Sequence, residues 1–125
     1  MSNYLKKGAM DLSDCIFCRI INKELPSQVV VENELALVIK DIKPEAPVHL
    51  LVIPKTHVNN ICDPRLLESG ILNALYSAIQ ETALKLNIKE DGFRVVSNIG
   101  RHAGETVPHF HIHILAGRQL KADMG

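Results

Sequence analysis

Three histidines alternate in the run His109-Phe110-His111-Ile112-His113, so half of the chain's six imidazoles fall within five residues. In an extended strand, residues i, i+2 and i+4 point to one face. Burying Phe110, Ile112 and Ile114 therefore presents His109, His111 and His113 together on the opposite side. His49, at the head of the β-prone run His49 to Ile53, is a fourth imidazole able to approach them. Three readings fit such a row. It is a His-rich polar strand face, or a zinc or iron site, or a catalyst of phosphorus chemistry. In the last, one neutral imidazole attacks while its neighbours hold its tautomer and protonate the leaving group.

The flanking residues favour phosphorus. Gly104-Glu105-Thr106-Val107-Pro108 is a glycine-containing turn whose backbone N–H groups and hydroxyl suit phosphate oxygens. A second reactive pair, Cys15-x-x-Cys18, is open to three readings: a redox pair, half of a zinc site, or two small buried side chains. A thioredoxin-like redox site needs a strand before the pair, and the polar stretch before Cys15 offers none. Cys62 stands alone and reads as packing, and His102, in a polar loop, as exposed.

The elements that must position these groups follow from apolar spacing. Cys15 to Asn22 reads as a short helix, Gln28 to Glu32 and Leu35 to Lys40 as a strand pair, and His49 to Ile53 as a buried strand closed by Pro54. Asp63-Pro64 predicts the start of one long helix carrying Leu67, Ile71, Leu75, Ile79, Ala83 and Leu86, stopped by Asp91-Gly92. Phe93 to Ser97 and His109 to Leu115 complete the strands. Strands dominate, with one long helix crossing between them, which predicts an α+β domain with a mainly antiparallel sheet. Residues 1–13 read as a flexible arm, and residues 14–125 as a single domain.

Bulk properties narrow the partners. The chain has 125 residues, a length suited to one core, and 14 basic against 14 acidic residues give zero formal net charge. No positive excess is available to release counterions from a nucleic-acid backbone. No apolar run approaches the roughly 20 residues that cross a bilayer, and the odd cysteine count does not suit a secreted disulfide framework. The expected setting is cytoplasmic, without nucleic-acid or membrane partners.

From about Asp14 to Leu120 the sequence resembles the histidine-triad (HIT) family, in particular its Hint-like purine nucleoside phosphoramidase branch. The matching segments are Cys15 to Ile21, Asp41 to His49, Leu51 to His57, Ser97-Asn98 and Gly104 to Leu115. His109 through Leu115 meets the His-φ-His-φ-His-φ-φ signature, φ being apolar. The resemblance implies a HIT-like fold: a five-stranded sheet with one long and one short helix, and a two-fold dimer whose sheets join into ten strands, with Arg118 to Gly125 approaching the partner's site. It implies cleavage of the P–N bond of a purine nucleoside 5′-phosphoramidate through a nucleotidyl-histidine on His111. His113, His49 and His109 would assist as the other members of the catalytic group. Asn98, Gly104, Glu105 and Thr106, with His111 and His113, would hold the phosphate. Phe17, Ile20 and Ile42 would wall the base, and Asp41 would take the ribose hydroxyls.

No cofactor is expected for catalysis. Some family members bind a structural zinc, and their ligand set matches Cys15, Cys18, His57 and His109, a Cys₂His₂ group suited to tetrahedral zinc. The family usually has Gln after the glycine where this chain has Glu105. A carboxylate there repels a phosphate unless it points away or serves the leaving amine. The alternatives to a phosphoramidase are a nucleotide- and zinc-binding regulatory module and a dinucleoside polyphosphate hydrolase.

Overall fold

The computed structural model of the protein describes residues 14–124, so the expected arm lies outside the described residues. The element order is α1 (Ile16–Ile21), β1 (Val29–Glu32), β2 (Ala36–Lys40), β3 (Val48–Pro54), a 3₁₀ turn (Pro64–Leu67), α2 (Ile71–Lys85), β4 (Arg94–Val96), a second 3₁₀ turn (Arg101–Ala103) and β5 (Ile112–Ala116). The five strands form one sheet in the order β1-β2-β3-β5-β4, and every pairing is antiparallel. This is the expected α+β architecture with one long and one short helix. Among the described residues no helix is long and apolar enough to cross a membrane.

Strand alternation divides the core between two faces. Val38, Leu50, Val52, Ile112 and Ile114 point to the side covered by α2, where Ile71, Leu75, Ala78 and Ile79 meet them. Leu37, Ile39, Leu51 and Ile53 point to the other side, where α1 supplies Cys15 and Phe17. Phe110 joins the α2 side, while His109 and His111 meet Phe17 on the α1 side. The alternation read from the histidine run therefore holds.

The β1–β2 turn is closed by Asn33, whose Oδ1 accepts the N–H groups of Leu35 (2.9 Å) and Ala36 (2.8 Å). Its Nδ2 donates to the Ala74 carbonyl, tying the turn to α2.

Two elements depart from the sequence expectation. The long helix does not begin at Asp63. Asp63 does accept the Arg65 N–H, but it caps only the 3₁₀ turn. Ser69 (φ 54°) and Gly70 (φ 76°) then adopt left-handed conformations that no helix can continue through, and α2 starts afresh at Ile71. Leu67 is consequently exposed rather than part of the helical stripe. At the other end α2 stops at Lys85, and left-handed Asn87 turns the chain before Asp91-Gly92 is reached.

The last strand is also shorter than its alternation suggests: the ladder runs from Ile112, opposite Val52 of β3. Two residues further along β3 stands Pro54, which has no N–H to donate, and there the ladder ends. His109 to His111 are extended but held by other bonds, among them Phe110 N–H to the Val58 carbonyl at 2.6 Å.

Candidate functional site

His109, His111, His113 and His49 come together on the α1 face, where β5 and β3 lie side by side. Ring centroids of His111 and His113 are 5.1 Å apart, and those of His113 and His49 5.2 Å. A neutral imidazole carries one N–H, so the partner of one nitrogen assigns the other. His111 Nδ1 lies 2.8 Å from the His109 carbonyl, which can only accept. The proton is therefore on Nδ1, and Nε2 keeps its lone pair.

His49 is set the opposite way. The Glu45 N–H donates to its Nδ1 at 3.0 Å, which places its proton on Nε2. That proton faces His113 Nδ1 at 2.9 Å and Asp41 Oδ2 at 3.3 Å. His113 thus accepts at Nδ1 and carries its proton on Nε2. One row of chemically identical side chains holds a free lone pair on His111 beside a donor on His113. Burial lowers the His113 pKa below the ordinary imidazole value, with the neighbouring imidazoles His111 and His49 adding to the effect.

Asp41 and Glu45 belong to the chain between β2 and β3. Asp41 N–H bonds the His49 carbonyl, so the two residues face each other across the strand ends. Its Oδ1 accepts the Lys43 N–H at 2.8 Å, leaving Oδ2 toward the imidazoles. The Glu45 main chain is gripped from its other side by Arg118, whose Nη2 donates to the Glu45 carbonyl at 3.0 Å. Arg118 reaches it because Gly117 takes φ +98° beside Pro47, where an added Cβ would lie 2.7 Å from the proline Cβ. Neither Glu45 nor Arg118 was singled out from sequence as a support of His49. Each of their bonds uses a main-chain group of Glu45, which any residue type supplies, and so leaves no residue pattern. The Asp41–His49 pairing was readable in principle, by treating β2 and β3 as adjacent antiparallel strands.

The residues expected to hold a phosphate lie in the chain between β4 and the histidine run. Asn98 lies two residues past Val96, whose partner in the β4–β5 register is His113. Gly104 and Thr106 are exposed and lead into His109. Glu105 is turned back on its own loop: its Oε1 accepts the Gly100 N–H at 2.8 Å while its N–H bonds the Gly100 carbonyl at 3.1 Å. Of the residues expected to wall a base, Ile20 is half-buried and Ile42 is 89% exposed, but Phe17 is only 6% exposed. His102 is exposed, as expected. Cys62 is exposed as well, against its reading as packing, because it lies on the turn preceding Pro64 and not against the sheet.

A second cluster adjoins the first. The Nδ1 atoms of His109 and His57 lie 3.1 Å apart, Cys15 Sγ is 3.3 Å from His109 Nδ1, and Cys18 Sγ is 3.2 Å from His57 Nδ1. All four donor atoms fall within 4.8 Å of one another. His109 donates from Nε2 to the Pro54 carbonyl at 2.9 Å, and His57 Nε2 meets Asn59 Oδ1 at 3.2 Å, so both Nδ1 lone pairs point inward. Two lone pairs facing at this distance repel unless protons or a cation lie between them. The contacts match the edges of a tetrahedron with zinc–ligand bonds, about 3.3–3.8 Å. The donor set therefore fits a tetrahedral metal ion. Without one, burial, and next the neighbouring Cys15, push the Cys18 thiol up to about 12. Burial likewise lowers the His57 pKa and lowers that of His109 to about 4.

An open five-stranded antiparallel sheet that displays alternating imidazoles beside a histidine of the neighbouring strand is the arrangement of a histidine-triad domain. The chain belongs to the HIT domain family, whose model matches residues 22–120. It is 36% identical to the purine nucleoside phosphoramidase of Escherichia coli K12 over 107 residues, covering 86% of this chain and 90% of that protein. A HIT-like protein of Synechococcus elongatus is 40% identical, with 86% and 93% covered. Among solved structures, a histidine triad protein from Clostridium difficile matches with a TM-score of 0.85 at 39% identity, covering 92% of this chain and 100% of that one. A HIT family hydrolase from Clostridium thermocellum matches with the same TM-score at 41% identity, covering 91% and 99%.

The buried neutral imidazoles make stability depend on pH. The unfolded chain takes up protons near the ordinary imidazole value of about 6.5, whereas folded His109 resists until about 4. Stability is therefore full above about pH 6.5 and is lost as pH falls toward 4, by of order 3 kcal/mol from His109 alone. Thermal unfolding of chelator-treated protein between pH 7 and 4.5 checks this; an unchanged Tm across that window contradicts it.

Proposed function

We propose that the protein hydrolyses the P–N bond of purine nucleoside 5′-phosphoramidates through a nucleotidyl-histidine on His111. The observation that carries this reading is the bond from His111 Nδ1–H to the His109 carbonyl, which leaves Nε2 with its lone pair. The relationship to a phosphoramidase supports the substrate class.

In this mechanism His111 Nε2 attacks the α-phosphorus as the P–N bond to the amine breaks. The departing amine accepts a hydrogen bond from His113 Nε2–H, takes its proton from solvent and leaves neutral. The His111 ring keeps its Nδ1–H, so the nucleotidylated imidazole is cationic, and its charge faces the His109 carbonyl oxygen. Water then attacks phosphorus, releases its proton to solvent and frees His111. His49 holds His113 in the donating tautomer throughout. Asn98, Gly104, Thr106 and the backbone near Glu105 take the phosphate oxygens. Asp41 takes the ribose hydroxyls through its Oδ2 side. Ile20, Ile42 and the rim of Phe17 bound the base.

Glu105 is compatible with this role because its carboxylate serves the Gly100 N–H, a bond that a glutamine carbonyl oxygen makes equally well. Cys15, Cys18, His57 and His109 would hold a structural zinc, which would tie the N-terminus of α1 to the start of the histidine run without a part in the chemical step. Two copies join through the edge strand β4, where Val95 is exposed, and through Tyr76 and Leu84 on the outer side of α2. A monomeric mass in light scattering at micromolar concentration counts against that assembly.

Wild-type protein is expected to release amine from a fluorogenic adenosine 5′-phosphoramidate, and His111→Ala to lose at least about a thousandfold. Chelation leaves turnover measurable, and freshly purified protein carries about one zinc per chain by elemental analysis, lost in Cys15→Ser. Absence of wild-type turnover sinks the phosphoramidase reading, and turnover abolished by chelator alone would mean a catalytic metal. For Glu105→Gln the same assay is expected to stay within about tenfold of wild type; a larger loss gives the carboxylate a part in the reaction.

A further inference from the structure

Phe17 lies where the two clusters meet. It sits in α1 between Cys15, the N-cap of that helix, and Cys18. Its ring stands edge-on to His109, with centroids 5.7 Å apart and planes at 90°, and edge-on to His111, at 5.2 Å and 68°. At 6% exposure only the rim of the ring is left to meet a ligand. The ring of His111 is fixed by one hydrogen bond at Nδ1. Rotation about the remaining torsions is stopped only by what packs against its faces and edges, and Phe17 is one of the two rings that do so. The other, His113, is itself only partly buried.

We propose that Phe17 is a positioning residue for His111, which passes the order of the Cys15–Cys18–His57–His109 cluster to the nucleophile. This deepens the phosphoramidase reading and rests on His111 being the attacking group. With a metal bound, Cys15 and Cys18 on both sides of Phe17, and the imidazole of His109 against which Phe17 leans, would be held in place. With those fixed, the Phe17 ring is a rigid stop for His111, and Nε2 points to one place. Without them α1, only six residues long, relies on the packing of Phe17, Ile20 and Ile21 against the sheet. The metal site and the active site are thereby linked, so that filling one orders the other.

The test uses Phe17→Leu, which keeps an apolar filling but removes the ring edge, with Phe17→Met in reserve should the leucine variant not fold. A positioning role predicts that kcat falls about tenfold or more, well beyond any change in KM from the loss of the ring's rim, because a misdirected nucleophile costs rate rather than binding. A rise in KM at unchanged kcat would make Phe17 a wall of the base pocket alone and overturn the proposal.

Long-range ¹⁵N–¹H spectra of the imidazoles supply a readout independent of turnover. Wild-type His111 is expected in the single Nδ1–H form with zinc bound, and in a mixture of forms after chelation. The Phe17 variants are expected to show the mixture in both conditions. A His111 signature indifferent to metal in the wild type, or unchanged in the variants, overturns the coupling. If wild-type protein proves inactive on phosphoramidates, the substrate reading fails while the spectra still decide whether Phe17 joins the two clusters.

Discussion

A neutral imidazole has two nitrogens and one proton, and the structure around this site is arranged to decide which nitrogen keeps it. The His109 carbonyl settles His111, the Glu45 amide settles His49, and His49 in turn settles His113. The bonds to His111 and His49 are local, from residues two and four positions away, whereas the one between His49 and His113 exists only once the sheet has brought β3 and β5 together. Burial on the α1 face does the rest, since desolvation disfavours the charged forms of His109 and His113 that would erase the distinction between donor and acceptor.

The same economy explains why the Cys/His cluster adjoins the row of histidines. His109 contributes its side chain to the cluster and its carbonyl oxygen to His111, so one residue is shared by both. The Pro54 carbonyl completes the arrangement by accepting from His109 Nε2, turning Nδ1 toward the cysteines. Pro54 thus acts twice: its missing N–H stops the ladder, and its oxygen orients the residue that the stopped ladder releases.

Much of the architecture was legible because burial imposes a period. The alternation of Phe110, Ile112 and Ile114 with the histidines reports a strand with two different faces, and the structure has them. The Cys15, Cys18, His57 and His109 set was legible through the family resemblance, and the four donor atoms do converge. What escaped the sequence involves backbone conformation or distant main-chain partners. Nothing in the apolar spacing of Leu67 and Ile71 signals that Ser69 and Gly70 turn left-handed between them. Likewise a carbonyl or amide such as those of Glu45 looks the same in every residue, so its bonds to Arg118 and His49 carry no signature. For Phe17 the apolar spacing shows a buried ring, but not that its edges meet two imidazoles.

The early end of the β5 ladder has a dynamic consequence. Strand residues from Ile112 onward are protected on two sides, by β3 and by β4, and can open only with the sheet. His109 to His111 belong to no ladder; the Phe110 amide is held by the Val58 carbonyl and the His109 carbonyl by the His111 ring. The segment is therefore its own unit of local opening, whose free energy is set by side-chain contacts and not by the stability of the fold. Evolution can loosen or stiffen it by a substitution at a neighbouring side chain while the global unfolding free energy stays where it is.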